Sequence, residues 1–276
     1  MPPGFDLETK AGRQLTPDEL LKRLRLERHA ARELRRILEK QLRQVMVAVQ
    51  AGKSLDEILR IFDDTPELRT AIERVLLDGG AEGIMAGETQ LGGMGISIDW
   101  EMVNIAARDW ARAYSYELVK GINSTTRKLL QTEVPRWIES GEPLSVLKRD
   151  LEPYFGQKRA GLIATTETTR TFQQGAVQTY RDSGVVGGMQ VVTANDEKVC
   201  PICAPLGGLI FGEDGAVPGS RAQQKVEGIR GGLDGNFVHP GGGGAASKYE
   251  GQTLNGPPFH GGCRCGTIPV IIEAMA

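Results

Sequence analysis

Apolar residues recur at three- and four-residue steps over most of the first two thirds of the chain, which predicts a series of amphipathic helices. The longest opens with Thr16-Pro17-Asp18-Glu19, where a Thr cap, a Pro at the first helical position and a Glu three residues after the cap signal a helix start. It ends at Gly52, and at 1.5 Å per residue it extends for about 50 Å. A helix of this length needs a partner along its apolar seam, which consists of Leu20, Leu24, Ala31, Leu34, Leu38, Leu42, Val45 and Val49.

The same pattern predicts shorter helices up to Gly184, with glycines as stop signals. Gly79 and Gly80 are expected to end the third helix, and the small residues from Gly83 to Gly95 to form a loop. Gly121, Gly141 and Gly156 are expected to end later helices. The predicted helices are Ser54 to Phe62, Pro66 to Leu77, Ile98 to Val119, Ser124 to Ser140, Leu144 to Tyr154 and Gln157 to Asp182.

Near residue 185 the periodic segments give way to glycine, proline and all four cysteines. We therefore expect an α+β protein with a mainly helical N-terminal two thirds and a small C-terminal α+β module stapled by zinc. The predicted divisions are a flexible N-terminus (1–15), a helical domain (16–123), a second helical segment (124–185) and a zinc-binding module (186–276) with a mobile Gly-rich loop at 228–244.

Composition narrows the function classes only slightly. A chain of 276 residues with 40% hydrophobic and 25% charged residues can bury a sizeable core. Its net charge of -2 argues against a globally basic nucleic-acid binder. The first residues lack the pattern of a secretory signal, and no run approaches the roughly 20 apolar residues of a membrane span. We expect a cytosolic product without a membrane partner.

One local basic pattern stands out on the long helix, where six arginines line one side. They could form a stripe for DNA phosphates or for an acidic protein surface. Glu27, Glu33 and Glu39 are interspersed, however, so we expect a solvated face with ion pairs inside the helix. The arginines are Arg25, Arg28, Arg32, Arg35, Arg36 and Arg43.

The cysteines carry the clearest chemistry. They form Cys200-Pro-Ile-Cys203 and, together with a histidine, His260-Gly-Gly-Cys263-Arg-Cys265. Two thiolates three positions apart can face one ion, and a second short cluster completes a tetrahedron of sulfur and nitrogen ligands. Soft thiolates select Zn²⁺ over Mg²⁺ or Ca²⁺. Disulfides are disfavoured without a secretion signal.

Five candidate ligands compete for four positions around the zinc ion. Four cysteines, or three cysteines with His260, both satisfy the chemistry, and Cys200, Cys203 and Cys263 rank first among the candidates. His239, in the Gly-rich loop, is expected to be an exposed loop residue, and His29 an ordinary surface residue of the long helix.

A catalytic zinc is the enzymatic alternative, because Asp196 and Glu197 precede Cys200 and could act as acid or base. Deaminases also use Cys-x-x-Cys, but their upstream His-x-Glu is absent here. With four or five soft ligands at hand, the site is expected to be closed and structural, and no other catalytic motif is found.

The ordered motifs from residue 164 onward resemble the Mu F-like family of phage head morphogenesis proteins, also called minor head or minor capsid proteins. The resemblance covers roughly Ser124 to Val270. Where the family commonly has His-Pro-Asn-Cys-Arg-Cys, this chain has Gly261-Gly262 between the histidine and the cysteine. The motifs are Ala164-Thr-Thr-Glu-Thr-Thr-Arg170, Gly175, Val191-Val-Thr-Ala-Asn-Asp196, Val199-Cys-Pro-Ile-Cys203, Leu206-Gly-Gly208 and His260-Gly-Gly-Cys-Arg-Cys265.

The resemblance implies a virion protein at the portal vertex of the head, present in the host cytoplasm during assembly. Its partners would be the portal protein and the major capsid or scaffolding protein, with DNA as a further partner if it is packaged and ejected. The family's Thr-Glu pair and Arg map onto Thr166, Glu167 and Arg170, and we expect Glu167 and Arg170 to pair and to lock their helix to the zinc module.

Two other functions compete with this one. A zinc-dependent or toxin-like enzyme, such as an ADP-ribosyltransferase-type effector, would need a strand-rich catalytic domain that Met1 to Asn123 does not offer. A zinc-bearing DNA-binding protein would need basic residues around the metal, and acids offset those near the cysteines.

Overall fold

The computed structural model describes residues 17–96, 100–193, 200–212, 236–238 and 253–271. Within these ranges the fold is α+β, as the sequence predicts, with helices first and short strands after them. The helices are α1 (Pro17–Gln50), α2 (Leu55–Leu59), α3 (Pro66–Gly92), α4 (Trp100–Ser140), α5 (Leu144–Phe155) and α6 (Gln157–Asp182). The strands are β1 (Val186–Val192), β2 (Ile210–Gly212), β3 (Asn236–Val238), β4 (Thr253–Asn255) and β5 (Gly266–Ile271).

Parts of the predicted organisation fall outside the described residues. They include the N-terminal segment 1–15 and the Gly-rich loop 228–244 apart from 236–238, which forms β3 and pairs with β4. The domain boundaries stay predictions, although α4 runs without a break across residues 123 and 124. No helix in the described ranges is long and apolar enough to cross a membrane.

The structure confirms the predicted long helix. Helix α1 begins at Pro17 and ends at Gln50, just before Gly52, whose φ is +67°. Leu34, Leu38 and Val45 of its seam are at most 1% exposed. Two charged residues continue this buried face toward the N-terminus, since Arg23 is 3% exposed and Glu27 is 9% exposed. The buried face of α1 is therefore apolar in its C-terminal part and charged near its start.

The expected stop at Gly79 and Gly80 and the expected loop from Gly83 to Gly95 are wrong, because α3 continues to Gly92. The small residues face α6 instead. A Cβ at Gly83 would lie 2.0 Å from the carbonyl oxygen of Phe172, and one at Gly175 would lie 2.3 Å from the carbonyl oxygen of Gly80. Each glycine costs a helix about 1 kcal/mol relative to alanine, but here it permits backbone contact between two helices.

The expected stop at Gly121 is also wrong, because α4 extends from Trp100 through this glycine to Ser140. Asn123, two residues later, is buried and donates through Nδ2 to the Phe62 carbonyl and to Thr65 Oγ1. This anchoring of α4 to the start of α3 holds the helix together where the sequence alone indicates an end. Gly141, with φ +67°, does end α4 as predicted.

Two hydrophobic cores lie side by side in the described structure. The first joins α1, α2, α3, α4 and α5 with the start of α6. The second packs the end of α6 against a three-stranded antiparallel sheet of order β2-β1-β5 and includes Cys203, Cys263 and Cys265. Helix α6 belongs to both cores and so carries the cysteine-containing segments against the helical body.

Candidate metal centre

The structure brings the five predicted ligands together, although they come from segments 60 residues apart. The Nε2 atom of His260 lies 3.0 Å from Cys200 Sγ and 3.1 Å from Cys203 Sγ. The Sγ atoms of Cys203 and Cys263 are 3.8 Å apart. Two sets have all ligand atoms within 4.8 Å of one another, Cys200/Cys203/His260 and Cys203/Cys263/Cys265. All four cysteines are free thiols.

A tight turn presents the first pair of cysteines. The backbone N–H groups of Cys203 and Ala204 both donate to the Cys200 carbonyl over 3.0 Å. Leu206 N–H in turn donates to the Cys203 carbonyl over 2.9 Å. The turn directs the Cys203 side chain inward, where it is 2% exposed.

The second cluster is shaped by its glycines and by the histidine ring. Gly262 has φ +77°, which glycine adopts readily, and Cys263 N–H donates to the His260 carbonyl over 3.2 Å. The Nδ1 atom of His260 lies 2.8 Å from the Gly261 carbonyl, an acceptor, so Nδ1 carries the proton and Nε2 is left with its lone pair. That lone pair faces two sulfurs, the orientation that a metal-binding imidazole needs.

This arrangement fits a tetrahedral ion held by sulfur and nitrogen. Zn–S bonds of about 2.3 Å give a tetrahedron with S···S edges of about 3.8 Å, the separation between Cys203 and Cys263. Cys203 belongs to both sets of three, so it is the central donor. The cluster can hold a metal ion, and the geometry leaves both four cysteines and three cysteines with His260 as possible ligand sets.

The thiols also share protons with one another. The hydrogen bond between Cys203 and Cys263 lowers the pKa of Cys263. The same hydrogen bond, followed by that with Cys265, raises the pKa of Cys203. Cys265 N–H additionally donates to Cys263 Sγ over 3.4 Å. These hydrogen bonds favour the thiolate form at Cys263, and a thiolate is the form that binds a metal ion.

A buried arginine of α1 compensates this negative charge. Burial lowers the pKa of Arg23 to about 10, against the thiolate of Cys263 and the carboxylate of Glu27, which raise it. Arg23 is thus cationic at neutral pH. Its guanidinium donates to Thr169 Oγ1 and lies 5.6 Å from the centre of the Phe172 ring.

A row of polar residues on α6 forms hydrogen bonds with the second cysteine cluster, which consists of His260, Cys263 and Cys265. Thr166 Oγ1 accepts from Gly262 N–H over 2.8 Å, and Thr169 Oγ1 donates to the Cys263 carbonyl over 2.6 Å. One turn further, Gln173 exchanges hydrogen bonds with Thr267, whose N–H donates to Gln173 Oε1 over 3.0 Å. Thr169 and Gln173 are not among the predicted site residues, yet Thr166, Thr169 and Gln173 follow one another at steps of three and four residues, which indicates that they share one helix face.

Glu167 and Arg170 form the predicted pair, with Arg170 Nε 3.1 Å from Glu167 Oε2. The expectation that they lock α6 to the cysteine module is wrong. Their third partner is Tyr114 of α4, whose hydroxyl donates to Glu167 Oε2 over 3.1 Å and whose ring centre lies 5.5 Å from the Arg170 guanidinium. The Glu167 side chain therefore faces α4, on a different face of α6 from Thr169.

The remaining candidates divide into two groups. His29 is a surface residue as predicted, 3.8 Å from Glu33 across one helical turn. Asp196, Glu197 and His239 lie outside the described residues, so their predicted roles stay predictions.

Comparison with known proteins adds one finding. The family model described as Phage Mu protein F like protein matches residues 128–268, slightly more than half of the 276 residues. The matched segment includes α5, α6, β1 to β4, the first half of β5 and all five candidate ligands, but it excludes α1, α2 and α3. No curated protein and no solved structure matches the chain.

Proposed function

The chain belongs to the family of phage Mu protein F like proteins, and from this premise we propose that it is a minor head protein acting in procapsid assembly at the portal vertex. The family indicates a role in phage head morphogenesis. The proposal adds the place in the head, the partners and the metal.

The observation that carries a structural role is the enclosure of the cysteine cluster. Cys203, Cys263 and Cys265 are each at most 4% exposed, and they pack in one core with Leu206, Leu209 and Phe259. A zinc ion held by Cys200, Cys203 and Cys263, with His260 or Cys265 as fourth ligand, would have all its coordination positions filled by protein. Such an ion stabilises a fold, because a small module has too few core residues of its own.

The position of Glu167, the acidic residue that an enzyme hypothesis would use, also supports a structural role. Glu167 is enclosed by Arg170 and Tyr114 in the α4–α6 interface, on another face of α6 from the residues that touch the cysteine module. A general acid must reach the reacting group within hydrogen-bond distance. Glu167 is placed to hold two helices together instead.

The proposed partners are the portal protein and the major capsid or scaffolding protein, with DNA as a further partner during packaging and ejection. The protein would lie in the virion head at the portal vertex and in the host cytoplasm while heads assemble. The two cores meeting at α6 would provide a rigid body for such contacts.

The test is to purify procapsids and mature heads of the phage or prophage that carries the gene and to identify their proteins by mass spectrometry. We expect the chain in both particles, far below the copy number of the major capsid protein, and co-purifying with the portal protein when the two are expressed together. Heads assembled by a deletion strain with unchanged portal content, or absence of the chain from all particles, would contradict the proposal.

A further inference from the structure

A long groove runs between α1 on one side and α5 with the start of α6 on the other. Its volume is about 1370 Å³, above the roughly 300 to 1000 Å³ typical of small-molecule pockets. Its apolar lining includes Ala31, Leu42 and Met46 from α1, and Leu144 and Phe155 from α5. Val47, at its border, is 66% exposed. The groove therefore has the size and surface for a polypeptide segment.

The charged residues that line this groove are mostly basic, because Arg35, Arg43, Lys148, Arg149 and Lys158 outnumber Glu39 and Glu152. Of the six arginines of α1, Arg35 and Arg43 belong to this lining, and the other four extend the row along the helix. At about 100° per residue, the six arginines of α1 fall within a sector of about 100° on the side that contains Met46. The row from Arg25 to Arg43 spans 18 residues, or roughly 27 Å. Lys148 and Lys158 add exposed positive charges from the opposite wall.

The predicted solvated face is confirmed, because all six arginines are exposed, but most of the acids that α1 offers to these arginines pair elsewhere. Glu27 pairs with Arg264 and Glu33 pairs with Arg74 of α3. Of these three acids, only Glu39 pairs with an arginine of the row, Arg35, over 2.6 Å. Within the described part of the chain, no ion pair is made by Arg25, Arg28, Arg32, Arg36 or Arg43, and all five are exposed.

We propose that this groove binds an amphipathic helix of a partner protein, apolar on one face and flanked by aspartate and glutamate. The apolar floor would bury the apolar face, and Arg43, Lys148 and Lys158 of the groove lining would face the acidic flanks. DNA phosphates would use the arginines alone and leave the apolar floor without a role. The inference goes beyond the proposed head function, because it names a surface and the chemistry of its occupant and does not depend on which protein supplies the helix.

The experiment uses the full chain and measures fluorescence anisotropy of three labelled probes. They are a 20-residue helical peptide with leucines on one face and glutamates beside them, the same peptide with lysine in place of glutamate, and a 20-base-pair DNA duplex. We expect saturable binding of the acidic peptide that weakens as salt is added, and no binding of the basic peptide.

Two variants separate the contributions of charge and of apolar surface. Arg43→Glu with Lys148→Glu reverses two exposed charges of the groove lining and should weaken peptide binding at least tenfold. Met46→Ser with Val47→Ser should weaken it about tenfold through lost apolar burial. The matched control, Arg108→Glu with Lys120→Glu on α4, makes the same charge change outside the groove and should leave binding unchanged. Melting temperatures verify that each variant is folded.

Either of two results would overturn the proposal. One is failure of the acidic peptide to bind. The other is binding of the DNA duplex that requires the arginines and is indifferent to Met46 and Val47, which would assign the surface to nucleic acid. Neither result bears on whether the chain is a head component, which particle composition decides.

Discussion

Arg264 forms a two-point ion pair with Glu27, donating from Nε to Oε2 over 3.1 Å and from Nη2 to Oε1. Arg264 stands between Cys263 and Cys265, whereas Glu27 lies 237 residues earlier in α1. Glu27 also accepts from Thr165 Oγ1 of α6 over 2.6 Å. One carboxylate thus joins the first helix, the last helix and the second cysteine cluster.

Removal of this carboxylate should destabilise the protein more than removal of an exposed one. The Glu27 side chain is 12% exposed, and Glu27→Ala leaves the Arg264 guanidinium and the Thr165 hydroxyl without their acceptor. We expect a loss of about 1–3 kcal/mol in the free energy of unfolding by urea. Arg264, 41% exposed, can turn to water, which keeps the loss in the lower part of that range.

Glu39→Ala is the matched control for Glu27→Ala, because it removes an i,i+4 ion pair of the same helix whose side chains are 48% and 36% exposed. Its effect should stay below about 0.5 kcal/mol. Equal losses for the two variants would show that the Glu27–Arg264 pair does not hold the cysteine cluster.

The metal proposal predicts about one zinc ion per purified chain by elemental analysis. A strong chelator should lower the melting temperature, because the bound ion stabilises only the folded state. Cys200→Ser, Cys203→Ser and Cys263→Ser should each lose the zinc. Between His260→Ala and Cys265→Ser, the variant that loses zinc identifies the fourth ligand.

His29→Ala serves as the control for the histidine variant, since His29 is exposed and belongs to neither group of candidate ligands. It should keep its zinc and its melting temperature. A wild-type protein that is fully folded with four titratable thiols and no bound metal would refute the metal site.

The glycine contacts between α3 and α6 predict opposite effects for two substitutions. Gly83→Ala places a methyl group 2.0 Å from the Phe172 carbonyl oxygen, so the helices must separate. We expect a loss of about 3 kcal/mol or more in unfolding free energy. Gly121→Ala, inside α4 with no atom within 4 Å of the new Cβ, should gain about 0.5–1 kcal/mol. A loss at Gly121 would indicate that α4 is broken there in solution.

The buried Glu167 predicts a specific pH dependence. Burial raises its pKa above the ordinary 4.5, although Arg170 and Tyr114 act to lower it. The folded state therefore binds the proton more tightly than the unfolded state does, and the wild type gains stability as pH falls through the raised pKa toward 4.5. The gain amounts to about 1.4 kcal/mol for each unit by which the pKa is raised.

Glu167→Gln lacks this titration, so its stability minus that of the wild type should decrease as pH falls from 7 and level off below the ordinary carboxylate pKa. Urea unfolding of both proteins across this range measures the difference. Both contain the same cysteines, so any metal loss at low pH affects them alike. A difference that increases on acidification would mean that the ion pair with Arg170 outweighs burial.

The sequence predicted the features that local chemistry determines. The start of α1 at Pro17 and its end just before Gly52 follow from capping and backbone preferences. The spacing of ligands in the sequence predicts that five residues lie together, Cys200, Cys203, His260, Cys263 and Cys265. Each of these signals lies within a few neighbouring residues, so it can be recognised without knowing the partner elements.

The features that were missed depend on distant partners. Gly83 has the same sequence signature whether it ends a helix or touches Phe172, and only the position of α6 distinguishes the two cases. Arg23 and Glu27 look like solvated residues in the sequence of α1. They are buried because Thr169 and Arg264, more than 140 and 230 positions away, supply their partners.

The dependence of the cysteine cluster on α1 has a consequence for inheritance. A segment exchanged between related phages at the borders of residues 128–268 would carry every ligand but leave behind Arg23 and Glu27, which neutralise and hold the cluster. Recombinant proteins would keep these contacts only where the recipient's first helix offers the same two charges. The first helix and the last cysteines must therefore evolve as one unit, although nearly the whole chain separates them.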